Sequence, residues 1–187
     1  MIKKIGLAGK SGSGKNVIAD LMCANYGYTQ IAVADGIREE AAAFIKNALG
    51  DIQSDCDLPM SFDLVIKAFV ESIWAKPTPS EIRVLLQWWG TEYRRKEDSD
   101  YWIKQLSNRL QNDNCIVVSD VRLPDEMRVI REMGGEVWLV ERAGIEHVGI
   151  VGHATEHGLA DAKFDRVISN NGTFEDLENC LDKLLIQ

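Results

Sequence analysis

The stretch KKIGLAGKSGSGKNV at residues 3–17 decides the fold, because it places a glycine-rich turn between two regular elements. Residues 3–8 are typical of a short buried strand, and residues 16–25 have the apolar spacing of a helix. Between them, residues 9–16 match the pattern G-x-x-x-x-G-K, with Asn16 where Ser or Thr is usual. A strand, this turn and a helix in that order predict a phosphate-binding loop; a plain glycine-rich turn is the alternative.

The chemistry of such a loop requires these residue types. Several backbone N–H groups must converge on phosphate oxygens, and only glycine readily adopts the positive φ angles that this demands. The helix that follows adds the positive end of its dipole, and Lys15 adds a compact charge for the β and γ phosphates of a nucleotide. A magnesium ion is expected with that nucleotide. The amide oxygen of Asn16 would ligate it directly or through water.

The rest of the chain alternates predicted strands with predicted helices. Further strands are predicted at residues 28–33, 115–119, 137–140 and 167–169. Helices are predicted at residues 36–49, 61–73, 82–89, 99–110, 124–133 and 173–185, with Gly50 and Gly90 ending two of them. The apolar run CIVVS at residues 115–119 is typical of a strand covered on both faces. We therefore predict one domain over residues 1–187, a three-layer α/β/α fold with a parallel sheet of about five strands.

Composition excludes several classes of protein. The 187 residues carry 29 acidic side chains against 21 Lys plus Arg, a net charge of −8, whereas proteins that wrap a nucleic acid polymer usually carry a basic surface. No apolar run approaches the roughly 18 residues of a membrane span, and the four cysteines form no C-x-x-C pair. We expect a soluble cytoplasmic protein whose partners are small molecules; homodimerisation stays open.

Asp120 lies at the carboxyl end of the buried strand, where open α/β sheets bind ligands. It would hold the magnesium ion through water, or it would line an acceptor pocket together with Arg122 and Glu126. The alternative is that Asp120 caps a loop and Arg122 lies on the surface. If a second anion binds, Arg38 and Arg122 would hold its phosphate in the bidentate geometry that a guanidinium allows.

Three other features have a functional and a structural interpretation. Trp102 either stacks on a base or ribose or packs in the core. The run Arg94-Arg95-Lys96 is either a solvated surface or a source of charge above the phosphates. The segment His147–His157 contains H-x-x-E-H at residues 153–157, a zinc-protease pattern that requires a helix, but nearby glycines favour a mobile cover over the phosphates.

Together these residues resemble the deoxynucleoside monophosphate kinases of bacteriophages, in order and approximate spacing over nearly the whole chain. Besides the glycine-rich loop, the matching motifs are Leu86-Gln87, Gly90-Thr91-Glu92, Tyr101-Trp102, Ser119-Asp120-Val121-Arg122, Glu126-Met127, His153 and Thr155-Glu156. The chain departs from the family at Asn16, where Asp is expected, and at Ser11, where a basic residue is expected. Residues 50–79 look shorter than in the family, which leaves base specificity open.

The resemblance implies a nucleoside-monophosphate-kinase fold that transfers the γ-phosphate of ATP to a deoxynucleoside monophosphate. The residues implied to bind ATP are Gly12, Ser13, Gly14, Lys15, Asn16 and Val17. The residues implied to contact the acceptor nucleotide are Ser11, Ile37, Arg38, Trp102, Asp120, Arg122 and Glu126. Lys15, Asp120 and Arg122 are the candidate catalytic residues, and Asn16 is the candidate metal ligand.

Two other functions are compatible with the same phosphate loop. One is another small-molecule kinase of this fold, such as one acting on dephospho-coenzyme A. The other is a regulatory NTPase that binds nucleotide and acts through protein partners. Which acceptors are phosphorylated distinguishes the three.

Overall fold

The computed structural model describes residues 3–56, 58–59, 61–111, 114–144, 159 and 162–186. The chain divides into two compact units. We call Met1–Val33 with Ile103–Gln187 the sheet unit, and Ala34–Trp102 the helical unit. The single domain expected from the sequence stays a prediction.

The sheet unit contains a five-stranded sheet whose order is β2-β3-β1-β4-β5. Its strands are β1 (Lys4–Ala8), β2 (Thr29–Ile31), β3 (Ile116–Val121), β4 (Glu136–Glu141) and β5 (Arg166–Ser169). All four pairings are parallel, which confirms the predicted parallel sheet. In the register, Ala8 at the end of β1 is level with Val121 on β3 and Leu139 on β4. The carboxyl ends of three central strands therefore meet where the glycine-rich loop begins.

Both faces of this sheet are covered by helices, which confirms the predicted three layers. On one face, α1 (Lys15–Tyr26) packs with the final helix of the chain, Phe174–Leu185, through Ile18, Met22 and Leu181. On the other face, residues of Tyr101–Leu110 and Pro124–Glu132 contribute Leu106, Leu110 and Ile130 to a second core. Successive side chains of a strand point alternately into these two cores, as the two-residue period of a strand requires. Ile5 belongs to the first core, and Ala8 to the second.

Within the described residues, the helical unit contains four helices and a π-helical turn. Their bounds are α2 (Val33–Asp55), α3 (Phe62–Trp74), α4 (Ser80–Trp88), the π-helical turn Trp89–Tyr93 and α5 (Arg94–Glu97). The helix Tyr101–Leu110 is α6, Pro124–Glu132 is α7, and Phe174–Leu185 is α8. Along the part of the chain that the structure describes, no helix is both long and apolar enough to cross a bilayer.

Several predicted helix boundaries are wrong, and each has a physical reason. Val33 begins α2 instead of ending a strand, because its N–H donates to Asp120 Oδ1 at 2.8 Å. Gly50 does not end α2, which continues to Asp55; nothing lies within 4 Å of a Cβ at Gly50, and a single glycine is tolerated in a long helix. Gly90 does not end α4 either. It lies inside the π-helical turn, where a Cβ would come within 2.8 Å of Ile37 Cδ1.

Other local predictions are confirmed. Pro124 is the first residue of α7, as its fixed φ angle favours. Thr173 and Asp176 cap α8 reciprocally, with Asp176 N–H donating to Thr173 Oγ1 at 3.2 Å and Thr173 N–H donating to Asp176 Oδ2 at 2.8 Å. The cover expected between His147 and His157 lies outside the described residues.

Candidate active site

The glycine-rich loop joins β1 to α1 through three residues with positive φ angles. These are Gly9 (141°), Gly12 (81°) and Gly14 (97°), of which Gly14 immediately precedes the helix. Gly9 also passes close to β4, since a Cβ there would lie 2.3 Å from the carbonyl oxygen of Val140. A side chain at Gly9 would therefore be excluded by packing as well as by backbone strain. The loop has the backbone conformation that a phosphate cradle needs.

Lys15 lies across this loop. Its Nζ donates to the carbonyl oxygens of Gly9 at 2.7 Å and Lys10 at 2.8 Å. Burial and the nearby charge of Arg122 lower the pKa of Lys15 to about 8, while the charge of Asp120 opposes that shift. Because both of its partners are neutral carbonyls, the ammonium group would gain electrostatic energy by exchanging them for phosphate oxygens.

The remaining loop residues differ in what they present. Ser13 is 1 % exposed, and within the described residues its Oγ has no hydrogen-bond partner. Val17 packs against the core, so its backbone rather than its side chain is the part available to a nucleotide. Ser11 and Asn16 are exposed. An exposed amide on the first turn of α1 is in a position to offer oxygen to a hydrated cation.

The end of β3 brings Asp120 and Arg122 into electrostatic range of Lys15. Asp120 lies within β3, and its Oδ1 accepts the Val33 N–H that begins α2. The carboxylate therefore caps the start of α2, and Arg122 is exposed, as the structural alternative expected; their contacts with nucleotide stay predictions. The charge of Asp120 also raises the pKa of Lys15, so Asp120 acts electrostatically on the glycine-rich loop.

Glu126 is buried beneath the backbone of Arg122. It is 5 % exposed, and its Oε2 accepts the N–H groups of Arg122 at 2.7 Å and Leu123 at 3.0 Å. Burial raises the pKa of Glu126 to about 7; the charge of Asp120 adds to the increase, and the two N–H groups and the charge of Arg122 oppose it. Glu126 thus fixes the backbone from which the Arg122 side chain projects. Its direct contact with an acceptor stays a prediction.

The other three predicted acceptor residues belong to the helical unit. Arg38 donates from Nε to the carbonyl oxygen of Ile73 at 3.0 Å and from its terminal NH2 group to Thr78 Oγ1 at 3.1 Å. Ile37 packs where a Cβ of Gly90 would lie. Trp102 is 3 % exposed and donates its indole N–H to the carbonyl oxygen of Gly90 at 2.9 Å, which is the packing alternative. Nucleotide contacts of all three stay predictions.

Sequence reasoning missed Asn170, which follows β5 and donates from Nδ2 to the carbonyl oxygen of Ser13 at 2.9 Å. Its only sequence signal is an amide residue after the last strand, at the sheet edge that gathers the other site residues. Across the described ranges no group of three or more His, Cys, Asp or Glu residues could hold a metal ion. The H-x-x-E-H segment lies among the residues that the structure does not describe.

Comparisons with known proteins give one description repeatedly. The sequence profile of the family "Deoxynucleotide monophosphate kinase" matches residues 54–181. The deoxynucleotide monophosphate kinase of Escherichia phage RB69 is 36 % identical over 110 residues, covering 56 % of this chain and 44 % of that protein, so the match spans less than half of the phage protein. A protein of Acanthamoeba polyphaga mimivirus that carries the same description provisionally is 27 % identical over 206 residues, covering 95 % of each chain.

Among solved structures, the dephospho-CoA kinase from Campylobacter jejuni matches with a TM-score of 0.44 and 14 % identity, covering 98 % of this chain and 96 % of that one. The family match is the decisive finding, because the matched residues 54–181 make up most of the chain. They include Asp120, Arg122 and Glu126. The chain belongs to the deoxynucleotide monophosphate kinase family.

Proposed function

We propose that the protein transfers the γ-phosphoryl group of ATP to a deoxynucleoside monophosphate and releases ADP and a deoxynucleoside diphosphate. The observation that carries the proposal is the position of Lys15. The Lys15 side chain lies across the glycine-rich loop, and its ammonium group is within electrostatic range of Asp120 and Arg122. Membership of the family supplies the reaction class.

On the donor side, the N–H groups of the loop and of the first turn of α1 would bind the phosphates of ATP. The residues involved would be Gly12, Ser13, Gly14, Lys15, Asn16 and Val17. Lys15 would leave the carbonyls of Gly9 and Lys10 for the β and γ oxygens, where its charge stabilises the transition state more than the ground state.

On the acceptor side, the guanidinium of Arg122 would bind the phosphate of the monophosphate, because its planar fork matches two phosphate oxygens. Its backbone is held by buried Glu126. Ser11 and Asp120 would contact the same nucleotide. For Ile37, Arg38 and Trp102, acceptor contact is supported by the resemblance to the family alone.

The chemistry needs little covalent participation by the protein. The acceptor phosphate has a second pKa near 6, so at neutral pH its oxygen attacks without giving up a proton. That oxygen forms a bond to the γ phosphorus while the bond from the γ phosphorus to the β–γ bridging oxygen breaks, and ADP leaves with the electron pair. What the protein must do is align two anions and neutralise their charge, which is the role of Lys15 and Arg122.

The oxygen donors of this region fit a magnesium ion bound mainly by phosphates and water. Magnesium in kinases keeps several waters and takes one or two protein ligands, so a cluster of three acidic side chains is not needed. Asn16 and Asp120 would hold it, directly or through water. When bound, the ion neutralises charge on the donor phosphates.

The proposal includes two further statements. The partners are small nucleotides rather than a nucleic acid polymer, which the net charge of −8 supports. The protein acts in the cytoplasm, where ATP and nucleoside monophosphates are available.

An assay of ADP release with each deoxynucleoside monophosphate, each ribonucleoside monophosphate and dephospho-coenzyme A tests the proposal. We expect turnover with at least one deoxynucleoside monophosphate, dependence on Mg²⁺ and a product that carries the radiolabel of γ-labelled ATP. Turnover with dephospho-coenzyme A alone, or ATP hydrolysis that no acceptor changes, would overturn it.

A further inference from the structure

Asn170 connects the far side of the sheet to the phosphate loop. Its own N–H donates to the carbonyl oxygen of Glu141 at 2.7 Å, which extends the β4–β5 ladder by one residue beyond Ser169. Its side-chain Nδ2 donates to the carbonyl oxygen of Ser13 at 2.9 Å, across 157 positions of sequence. The amide that reaches the loop is therefore anchored to a strand and not to a flexible turn.

The hydrogen bond to Ser13 sets the direction of the next N–H group. The carbonyl of Ser13 and the N–H of Gly14 belong to one planar trans peptide, so they point in opposite directions. With the carbonyl turned toward Asn170, the Gly14 N–H is turned away from it. Gly14 has a φ of 97°, a conformation that glycine can leave readily, so this peptide needs an external constraint to keep one orientation.

Asn170 also occupies the space beside the α-carbon of Gly14. A Cβ at Gly14 would lie 2.1 Å from Asn170 Nδ2, so the contact exists only because residue 14 has no side chain. The same Nδ2 atom thus donates to the carbonyl oxygen of the Ser13–Gly14 peptide and packs beside the α-carbon of Gly14. Two contacts from one side chain restrict rotation of that peptide more than either would alone.

Within the described residues, the side-chain hydrogen bonds of the neighbouring Asn171 join residues outside the glycine-rich loop. Its Oδ1 accepts the Ala143 N–H at 2.6 Å, and its Nδ2 donates to Ser169 Oγ at 2.8 Å. The two adjacent asparagines therefore offer a matched pair. Both hold the end of the sheet, and only Asn170 bonds to the phosphate loop.

We propose that Asn170 is a positioning residue for the phosphate donor: its hydrogen bond to the Ser13 carbonyl holds the Ser13–Gly14 peptide so that the Gly14 N–H faces the donor phosphates. This rests on the proposed function only in taking the loop as the donor site. The donor phosphates gain an N–H that is already oriented, which lowers the entropy lost on binding. The effect belongs to the donor nucleotide and not to the acceptor.

The test compares Asn170→Ala with Asn171→Ala in the full-length protein, using ADP as the probe. We expect the Kd for ADP and the KM for ATP to rise about three- to tenfold in Asn170→Ala, the range of one neutral hydrogen bond, with acceptor KM unchanged. Asn171→Ala should leave both constants near the wild-type values. The Gly14 amide signal in NMR spectra should shift in Asn170→Ala alone and respond less to ADP.

Asn170→Asp keeps the size of the side chain, so it serves as a second variant if Asn170→Ala fails to fold. A carboxylate cannot donate to the Ser13 carbonyl, and we expect weaker ADP binding than in Asn170→Ala. Wild-type ADP affinity and an unshifted Gly14 signal in a folded variant would overturn the positioning role while the kinase proposal stands. Asn170-dependent ADP binding without transfer to any monophosphate would instead sink the kinase proposal and retain the role of Asn170.

Discussion

The glycine-rich loop of the sheet unit and the carboxylate of Glu40 in the helical unit hold polar side chains in opposite ways. In the sheet unit, strand register brings Lys15, Asp120 and Asn170 to one edge, and backbone carbonyls or N–H groups supply the bonding partners given above. In the helical unit, one carboxylate collects side chains. Glu40 accepts from Tyr101 OH at 2.6 Å and from Trp89 Nε1 at 3.0 Å, and it is ion-paired with Arg94 Nε.

The two units also differ in how far their apolar side chains are buried. The central strands and α1 of the sheet unit bury Ile5, Leu7 and Ile18 completely. In the helical unit the cluster of Ala42, Ile73 and Ile82 is small, and several large apolar side chains of α2, α3 and α4 are exposed. These exposed residues are Phe44, Ile52, Leu64, Val65, Phe69, Trp74, Val84 and Trp88. Loss of a polar side chain at the glycine-rich loop should therefore affect chemistry, and loss of the Glu40 carboxylate should affect stability.

Lys15→Met should give the largest effect of any single substitution. We expect kcat to fall about 10²-fold or more, because the charge proposed to stabilise the transferring phosphoryl group is lost. The fold should be retained, since burial already disfavours the charged form of Lys15, as its lowered pKa shows. Lys10→Met, an exposed residue of the same loop, is the control for kcat and Tm. Near-wild-type turnover in Lys15→Met would refute the donor assignment.

Arg122→Ala should act on the acceptor. Loss of a charge-assisted contact with phosphate is worth about 1.5–3 kcal/mol, so we expect the acceptor KM to rise roughly 10- to 100-fold with the KM for ATP little changed. Arg128→Ala removes an exposed guanidinium of α7 that pairs with Glu132, and it should leave both KM values unchanged. An increase confined to the KM for ATP would mean that Arg122 serves the donor.

Glu40→Gln tests the other half of the comparison. Burial raises the pKa of Glu40, but hydrogen bonds from Tyr101, Arg94 and Trp89 outweigh burial and keep that pKa below its usual value. Loss of the charge should lower the free energy of unfolding by about 1–3 kcal/mol, or Tm by about 2–4 °C per kcal/mol. Glu39→Gln, at an exposed neighbour on α2, is the control.

The same variant should leave the sheet unit unaffected. ADP affinity of Glu40→Gln at a temperature well below its Tm should match the wild type, because the residues proposed to bind the donor nucleotide lie in the sheet unit. Loss of ADP binding with unchanged Tm would contradict the comparison. Calorimetric titration with ADP and a thermal unfolding scan measure the two quantities on one sample.

These regions also differ in how far the sequence predicts them. The loop with Lys15 is predicted because its pattern is contiguous, and the strands are predicted from short apolar runs. Glu40 could not be predicted as a hub, since its partners Trp89, Arg94 and Tyr101 lie 49 to 61 positions away. The prediction that Gly90 ends α4 is wrong for a related reason: the packing of Ile37 requires the glycine, and this contact is not local in sequence.

Glu126 could be predicted in part. A carboxylate at the third position of a predicted helix is a local capping signal, but its burial depends on contacts that are not local in sequence. In the fold its pKa is raised to about 7, against an ordinary value of 4.5 in the unfolded chain. Below about pH 4.5 both states are protonated. Between 4.5 and 7 the folded state retains a proton that the unfolded state has released, so the free energy of unfolding falls as pH rises through this range.

Glu126→Gln should remove that pH dependence while retaining an oxygen that accepts the N–H groups of Arg122 and Leu123. We expect the wild-type Tm to fall by several degrees relative to Glu126→Gln between pH 5 and pH 8. Glu132→Gln, an exposed position on the same helix, should follow the wild-type curve. Parallel Tm curves for the wild type and Glu126→Gln would mean that the Glu126 carboxyl is ionised over the whole range from pH 5 to pH 8. The Arg122 N–H would then donate to a charged rather than a neutral carboxyl at pH 6.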